Sequence, residues 1–263
     1  MINNIISRAF GSFASIKFPK TIQNIINKSY AKIFGIDFSE FRDCGEYESL
    51  TALFTRTLKN PRKLDDGFIS PCDGLVLYCG KGFEGQAFSI KNHTYSPKEL
   101  LSSACDEKSE LDEGFDYANL YLSPRDYHNF HAPCDFELLS AVYESGELYS
   151  VAPKYLAKIS NLYAKNERVV LRCKSGEKLF WLVFVGALNV GKIKIFCDER
   201  IQTNANLGSS VYEYENKHFS KGEHLGCFEL GSSIVIIAQK GLLNFNIQEN
   251  QKIKFSQKIA DIK

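Results

Sequence analysis

Three short polar clusters in this 263-residue chain hold the side chains best suited to acid–base or nucleophilic chemistry. Ser70-Pro71-Cys72-Asp73-Gly74 places a carboxylate just before an apolar run, although Asp-Gly alone commonly marks a turn and nothing more. Ser123-Pro124-Arg125-Asp126-Tyr127-His128-Asn129-Phe130-His131-Ala132-Pro133 sets two histidines three residues apart, beside an Arg and an Asp. His-x-x-His suggests a metal first, but the additional ligands of a zinc site at characteristic spacing are missing, and the flanking prolines argue against a helix. In an extended segment side chains alternate faces, so His128 and His131 share a pocket only if a turn or bulge intervenes. Metal binding, proton transfer and ordinary packing all remain open for this pair. Glu229-Leu230-Gly231-Ser232-Ser233 runs straight into the apolar stretch 234–238. A Gly-Ser there is usually a bend, yet it is also the local chemistry of an N→O acyl shift. The Ser232 hydroxyl would attack the Gly231 carbonyl, and the missing Cβ of Gly231 leaves that approach clear. The hydroxyl is a weak nucleophile until a base takes its proton, and a His oriented by a buried Asp is the usual device.

The elements that must position these clusters are strands. Short apolar runs at 75–78, 169–173, 179–185, 192–196 and 234–238 are separated by Gly, Asn, Asp and Ser. The second and third of them, joined through Lys174-Ser175-Gly176-Glu177, read as a hairpin. Residues 104–116 read as an acidic surface loop, and 153–164 as a short helix. Residues 1–36 differ from the rest. Ile2, Ile5, Ile6, Ala9, Phe10, Phe13 and Ile16 recur at helical spacing, Pro19 breaks the pattern, and Ile22, Ile25, Ile26, Ile33 and Phe34 resume it. The expected fold class is α+β: N-terminal amphipathic helices followed by a β-rich, barrel- or sandwich-like catalytic body.

Composition narrows the function classes. With 32 basic and 31 acidic residues the chain is close to neutral, which speaks against a generally basic nucleic-acid binder. The longest apolar run, 179–188, is well short of the roughly 18 residues a membrane-spanning helix needs. No secretory signal pattern is visible at the start, so cytoplasmic residence is the default expectation. The eight cysteines form no Cys-x-x-Cys pair and read as buried or half-buried thiols. Residues 1–36 carry five basic side chains and no acidic one. That segment therefore reads either as helices packed on their own domain or as a basic amphipathic element on an anionic membrane.

Together the three clusters resemble the phosphatidylserine decarboxylase family. The likeness runs from Leu53-Phe54-Thr55-Arg56 through the Asp73 and His128–His131 blocks, Val185-Gly186-Ala187-Leu188-Asn189-Val190-Gly191 and Lys221-Gly222-Glu223-His224-Leu225-Gly226-Cys227-Phe228, and on to Ala238. Ser233 stands where Thr is usual, which leaves two adjacent hydroxyls, and Cys72 stands where a small residue such as Ala is common.

The resemblance implies a mechanism. Asp73 orients His131, the general base for Ser232, whose hydroxyl attacks the Gly231 carbonyl. β-Elimination then cuts the chain between 231 and 232, and residue 232 becomes a pyruvoyl group. This covalent pyruvate cofactor forms a Schiff base with the amine of phosphatidylserine and accepts electrons as carbon dioxide departs, giving phosphatidylethanolamine. His128 is implied to position the substrate carboxylate or to reprotonate the α-carbon. No metal is implied, and no nucleic acid. The partners are phosphatidylserine in the membrane and the chain's own two products, 1–231 and 232–263, as a heterodimer, with room for a homo-oligomer. The expected organisation is a membrane-associating helical segment over 1–40 and a catalytic domain over 41–263, peripheral on the cytoplasmic side of the cell membrane. Two alternatives carry weight from the same residues: a Ser-His-Asp hydrolase that never cuts itself, and a non-catalytic lipid-binding relative. The first is weakened by the lack of a Gly-x-Ser-x-Gly elbow.

Overall fold

The computed structural model describes residues 7, 10–83, 88–90, 93–105, 110–111, 113–156, 158–188, 192–204, 208–229 and 232–263. In chain order the strands are β1 (Phe68–Ile69), β2 (Gly74–Gly82), β3 (Phe88–Ile90), β4 (His93–Tyr95), β5 (Phe115–Leu122), β6 (Asn129–His131), β7 (Phe136–Glu144) and β8 (Arg168–Ser175). They continue with β9 (Lys178–Val185), β10 (Ile193–Ile195), β11 (Ser210–Phe219), β12 (His224–Phe228), β13 (Ser232–Gln239), β14 (Leu243–Phe245), β15 (Lys252–Ile253) and β16 (Lys258–Ile262).

Eight of these strands form one antiparallel sheet in the order β11-β7-β8-β9-β13-β5-β2-β15. Two three-stranded sheets, β10-β12-β6 and β1-β16-β14, lie over one face. There Phe130, Phe228, Ile193, Phe68 and Ile259 pack with Val76, Leu120, Leu182 and Ile236 of the main sheet in one core. On the opposite face the helical turns 97–101, 153–156 and 162–165 supply Leu100, Leu101, Leu156, Leu162 and Tyr163. These pack against Val170, Trp181, Val183 and Ile237, and the Trp181 indole donates to the Ala104 carbonyl at 2.7 Å.

A sheet buried on both faces requires apolar side chains at every position of its central strands. That is why β9 and β13 are nearly continuous apolar runs even though all their pairings are antiparallel. The edge strand β11 has only one covered face and alternates accordingly. The hairpin expected over 169–185 is present, paired from Arg168↔Val185 to Ser175↔Lys178. The observed architecture is a mixed chain with few helices and a layered, β-rich body.

Two local expectations differ from the structure, and a third lies partly outside the described residues. In the stretch expected to be a solvated loop, Leu111, Phe115 and Asp116 are buried and Phe115 opens β5. The apolar area of Leu111 and Phe115 in the second core outweighs the acidic character of their neighbours; residues 106–109 and 112 lie outside the described set. The single helix expected over 153–164 is two separate turns. The first N-terminal helix falls partly outside the described residues, with 10–14 helical.

The second N-terminal helix, α1 (Lys20–Phe34), is present and packs in the opposite sense to a core helix. Its buried side chains are Gln23 and Asn27. The Gln23 amide donates to Asn27 Oδ1 at 2.7 Å, and Asn27 Nδ2 donates to the Cys44 and Tyr47 carbonyls at 3.1 and 2.8 Å. Ile22, Ile25, Ile33 and Phe34 face outward, Ile33 with 75% of its surface exposed. Polar hydrogen bonding thus helps to hold the helix while Ile22, Ile25 and Ile33 are left exposed and Ile26 is half-buried.

Replacing Asn27 by Ala leaves two backbone carbonyls unpaired, at a cost of about 1–3 kcal/mol. Amide hydrogen exchange across 20–34 is therefore expected to speed up by roughly one to two orders of magnitude while the β-body keeps its protection. Unchanged exchange in the helix would contradict the docking role of Asn27.

Candidate active site

Asp73 sits in the tight approach to β2. The following Gly74 is required by space, because a Cβ there would lie 2.6 Å from the Tyr121 carbonyl oxygen of the neighbouring strand β5. The Asp73 carboxylate accepts from both terminal nitrogens of Arg62, at 2.5 and 2.9 Å, and from the Phe255 amide at 2.7 Å. Arg62 also grips Glu40 at 2.8 and 2.9 Å, and Lys254 reaches the same carboxylate at 2.8 Å. Hydrogen bonding from Arg62, partly opposed by burial and reinforced by Lys254, pulls the Glu40 carboxyl down to about 2.

His131 lies on β6, opposite His224 of β12. Its Nδ1 stands 3.0 Å from the Gly222 carbonyl, which can only accept, so Nδ1 carries the proton. Nε2 is then a lone-pair acceptor, and the Tyr127 hydroxyl donates to it at 3.0 Å. The ring is stacked on Phe255 at 3.8 Å and on His224 at 4.8 Å between centroids. Burial first, then His224, lowers the His131 imidazole to about 4.

The direct Asp73–His131 contact implied by the family resemblance is not among the hydrogen bonds of the described residues. Arg62 and Phe255 occupy the carboxylate instead. Asp73 reaches His131 through Phe255, which gives its amide to the carboxylate and its ring to the imidazole.

His128 follows the same tautomer logic. Nδ1 faces the Asp126 carbonyl at 2.8 Å and must donate, leaving a lone pair on Nε2. That Nε2 is buried and has no hydrogen-bond partner among the described residues. The ring lies against Phe54, with centroids 4.0 Å apart, in α2 (Leu50–Phe54). Burial, followed by the nearby Arg56 charge, lowers the imidazole to about 3. Arg56 is itself buried and donates to the Arg125 and Asp126 carbonyls at 2.6 and 2.9 Å. Arg56 and His128 therefore share the Asp126 oxygen.

Ser232 and Ser233 are the first residues of β13, and neither is exposed. Ser232 pairs with Leu122 of β5, while Ser233 pairs with Tyr121 of β5 and Val185 of β9. Alternation puts Ser232 on the same face as Ile234 and Ile236, and Ser233 on that of Val235 and Ile237. Both hydroxyls lack a hydrogen-bond partner among the described residues. Leu230, Gly231 and the 189–191 stretch of the family likeness lie outside those residues.

The strand leading toward Ser232 is β12, and both histidines attach to it. His131 pairs with His224 at one end, and the Phe228 amide donates to the His128 carbonyl at the other, at 3.0 Å. Gly226 between them is again a matter of space, since a Cβ there would meet the Lys194 carbonyl at 2.0 Å and the Phe130 ring at 2.7 Å. The fold thus gathers two neutral imidazoles, each with a lone pair on Nε2, around the segment that enters Ser232. An orphaned buried polar group costs about 1–3 kcal/mol, and such orphans in a native structure call for an explanation in function. A buried hydroxyl left unpartnered suits nucleophilic attack, and a buried imidazole nitrogen left unpartnered suits proton transfer.

A sequence model of the phosphatidylserine decarboxylase family matches residues 50–261, which contain Asp73, both histidines and both serines. The chain belongs to the phosphatidylserine decarboxylase family. Members named phosphatidylserine decarboxylase proenzyme include one from Campylobacter jejuni, 58% identical over 260 residues and covering 97% of each chain. Another, from Helicobacter pylori, is 43% identical over 267 residues, covering 99% of this chain and 97% of its own. A mitochondrial proenzyme of the family from Pongo abelii is 32% identical over 292 residues, covering 98% of this chain and 71% of its own.

Several residues of this site had no signal of their own in the sequence. Arg62 and Phe255 are 193 positions apart, yet Arg62 Nη1 donates to the Phe255 carbonyl at 3.2 Å and both residues donate to Asp73. Arg56 and Tyr127 lie inside stretches that carry the family likeness, but nothing in their spacing announces a bond to a distant carbonyl or to a ring nitrogen.

The two imidazoles set a pH response. In the unfolded chain both titrate near 6.5, whereas in the fold they titrate at about 3 and about 4. Between pH 6.5 and about 4 the unfolded chain holds protons that the folded chain does not. Stability is therefore lost as pH falls through that window and is flat above it. Each imidazole contributes at most about 1.4 kcal/mol per pH unit. Measured by urea unfolding of a Ser232→Ala chain, chosen to keep the polypeptide in one piece, the midpoint should hold from pH 8 to 7 and decline below 6.5. A further His128→Gln/His131→Gln pair should flatten most of that decline. A midpoint indifferent to pH between 7 and 5 would refute the buried neutral imidazoles.

Proposed function

We propose that this chain is a self-processing decarboxylase that converts phosphatidylserine to phosphatidylethanolamine and carbon dioxide at a membrane surface. The observation that carries the reading is the buried, unpartnered Ser232 hydroxyl at the head of a central strand, in a chain of this family. The neutral His131 serves as the base, exchanging its Tyr127 bond for the Ser232 proton. Ser232 Oγ bonds to the Gly231 carbonyl carbon as the peptide C–N bond breaks, giving an ester and a free amine. Loss of the residue-232 α-proton then expels the Gly231 carboxylate, and water releases ammonia to leave a ketone. That ketone supplies the electron sink for decarboxylation, the role carbonyl cofactors play elsewhere. His128, neutral and with Nε2 free, gives or takes a proton during turnover.

The surrounding structure suits a chain cut at this point. Residues 232–263 are interleaved with the rest: β13 lies between β5 and β9, β16 between β1 and β14, and β15 on β2. Lys254 pairs with Glu40, and the Phe255 amide pairs with Asp73. The two products therefore stay together as a heterodimer.

The membrane placement is supported by α1. Its outward isoleucines, with exposed Phe13 and Ile16 before it, share the segment with Lys17, Lys20, Lys28 and Lys32. Such a pairing of apolar and basic side chains suits the surface of an anionic bilayer on its cytoplasmic side. No helix among the described residues is long and apolar enough to cross a membrane.

Intact-mass analysis of purified protein is the test. Chains of residues 1–231 and 232–263 are expected, the smaller one lighter by one ammonia than the serine-started peptide, and co-eluting without denaturant. Ser232→Ala should abolish cutting and carbon dioxide release together. If Ser233→Ala does so instead, the nucleophile is misplaced by one residue. His131→Ala should block cutting, whereas His128→Ala should still cut and turn over at least about a hundredfold more slowly. A single uncut chain in active protein would sink the reading.

A further inference from the structure

Glu167 is a buried carboxylate outside the Arg62–Asp73 cluster. The Tyr143 hydroxyl donates to its Oε1 at 2.5 Å, and the Asn204 amide donates to the same oxygen. Burial first, then the bond to Glu167, holds the Tyr143 phenol well above its ordinary value, so the hydroxyl remains the donor. Tyr143 belongs to the core that also holds Val169, Phe184 and Ile234. The Glu167 carboxylate, two residues before Val169, therefore lies on that face of the main sheet. Ser232, two residues before Ile234, sends its side chain to the same face.

Strand register places the two residues in one row. Arg168 pairs with Val185, and Val185 with Ser233. One step further along, Glu167, Gly186 and Ser232 are cross-strand neighbours, with Gly186 in the middle. The Gly186 amide donates to the Glu167 carbonyl at 2.8 Å, and the Gly186 carbonyl accepts from the buried Asn166 side chain at 2.8 Å. Both polar groups of Gly186 thus point away from Ser232. Antiparallel ladders alternate, so Gly186 faces Ser232 as a non-hydrogen-bonded pair, with Cα atoms about 4.5 Å apart. In such a pair each Cα–H bond is turned toward the other strand. Glu167 Oε2 lies 3.8 Å from the point where a Gly186 Cβ would stand. Because Gly186 has no side chain, that point leaves the carboxylate open toward the Cα–H of residue 232.

We propose that Glu167 is the base that removes the α-proton of residue 232 in the elimination that cuts the chain. The proposal rests on the self-processing reading above, in which that proton has no assigned acceptor. His131 takes the proton of the hydroxyl, which leaves the face of the sheet with the side chain. The Cα–H bond lies along the sheet toward β9, so a different group meets it. As that C–H bond breaks, the proton goes to a Glu167 oxygen and the electron pair becomes the Cα=Cβ bond. The Cβ–O bond breaks in turn and releases the Gly231 carboxylate. Negative charge passes from Glu167 to Gly231, so no new charge is created in the dry interior, where one would be costly. Tyr143 and Asn166 are positioning residues in this account, the first for the carboxylate and the second for Gly186.

Without this base the ester forms but is not eliminated, and neutral hydroxylamine reveals it. The reagent opens an ester at residue 232, leaving a hydroxamate on Gly231 and a smaller chain that begins with serine and a free amine. Full-length Glu167→Gln protein keeps an oxygen for Tyr143 and Asn204. It is expected to cut itself at least about a hundredfold more slowly, and in hydroxylamine to release the serine-started 232–263 chain, read by intact mass. His131→Ala protein cannot make the ester and should resist hydroxylamine. Tyr143→Phe should slow cutting less than Glu167→Gln and give the same serine-started product. Glu167→Asp, which keeps a carboxylate one methylene shorter, should recover part of the rate. Wild-type cutting by Glu167→Gln would overturn the proposal. So would Glu167→Gln and Tyr143→Phe chains that slow but yield no serine-started product in hydroxylamine, because a merely structural defect blocks the ester as well. Wild-type protein that stays one chain would defeat the underlying reading instead.

Discussion

A serine hydroxyl buried without a partner at the first residue of a central strand is the constraint around which this molecule is arranged. β13 cannot shift to satisfy it, because both of its edges are committed: β5 pairs along its full length and β9 along six residues. Nor can solvent satisfy it, because cores lie against both faces of the sheet. The apolar continuity of β9 and β13, the two small sheets over one face and the helical turns over the other are what hold that hydroxyl dry. A dry site favours chemistry in which neutral groups pass a proton, because nearby charges would be costly to form there.

The electrostatics around the site keep to that rule. Formal charge is gathered at Arg62, Glu40, Asp73 and Lys254, where each carboxylate is matched by a cation, and at the buried Arg56, which backbone carbonyls hold near His128. The imidazoles, by contrast, are stripped of charge by burial, and each is fixed in one tautomer by a backbone carbonyl that can only accept. Phe255 joins the two regions, with its amide on Asp73 and its ring on His131. That link uses a residue from the segment beyond Ser232, so in the proposed cut enzyme the smaller chain would help hold the larger one's histidine. The N-terminal helix reverses the ordinary amphipathic arrangement for a related reason. Asn27 supplies enough directed hydrogen bonding to hold α1, which frees its isoleucines for the proposed lipid surface.

Much of this was legible in the residues themselves. The central strands were readable because complete burial demands unbroken apolar runs. The hairpin over 169–185 was readable because Ser-Gly between two such runs leaves the chain few other paths. The clusters around Asp73, His128–His131 and Ser232 were readable because their residue types are those of proton transfer and acyl shift, and their order matched a family. The misreadings share one cause. Residues 104–116 look like loop by composition, yet Leu111 and Phe115 among them complete a core that only the folded chain contains. The expected Asp73–His131 contact failed the same way, since local sequence does not reveal that Arg62 and Phe255 claim the carboxylate first.

By itself, then, the sequence determined which residue types could serve proton transfer and acyl shift, which stretches must be buried strands, and that the N-terminal segment is basic and apolar without acidic relief. Those properties reside in single side chains and in periodicities of a few residues, so they survive without knowledge of the fold. Only the tertiary structure decided which lone pairs are free, which carboxylates are already matched, and which face of α1 looks outward. Some of the partners are two or four positions away, as with His128–Asp126 and His131–Tyr127, and others nearly two hundred, as with Asp73–Phe255; a hydrogen bond is settled by which acceptor the packed chain brings within about 3 Å.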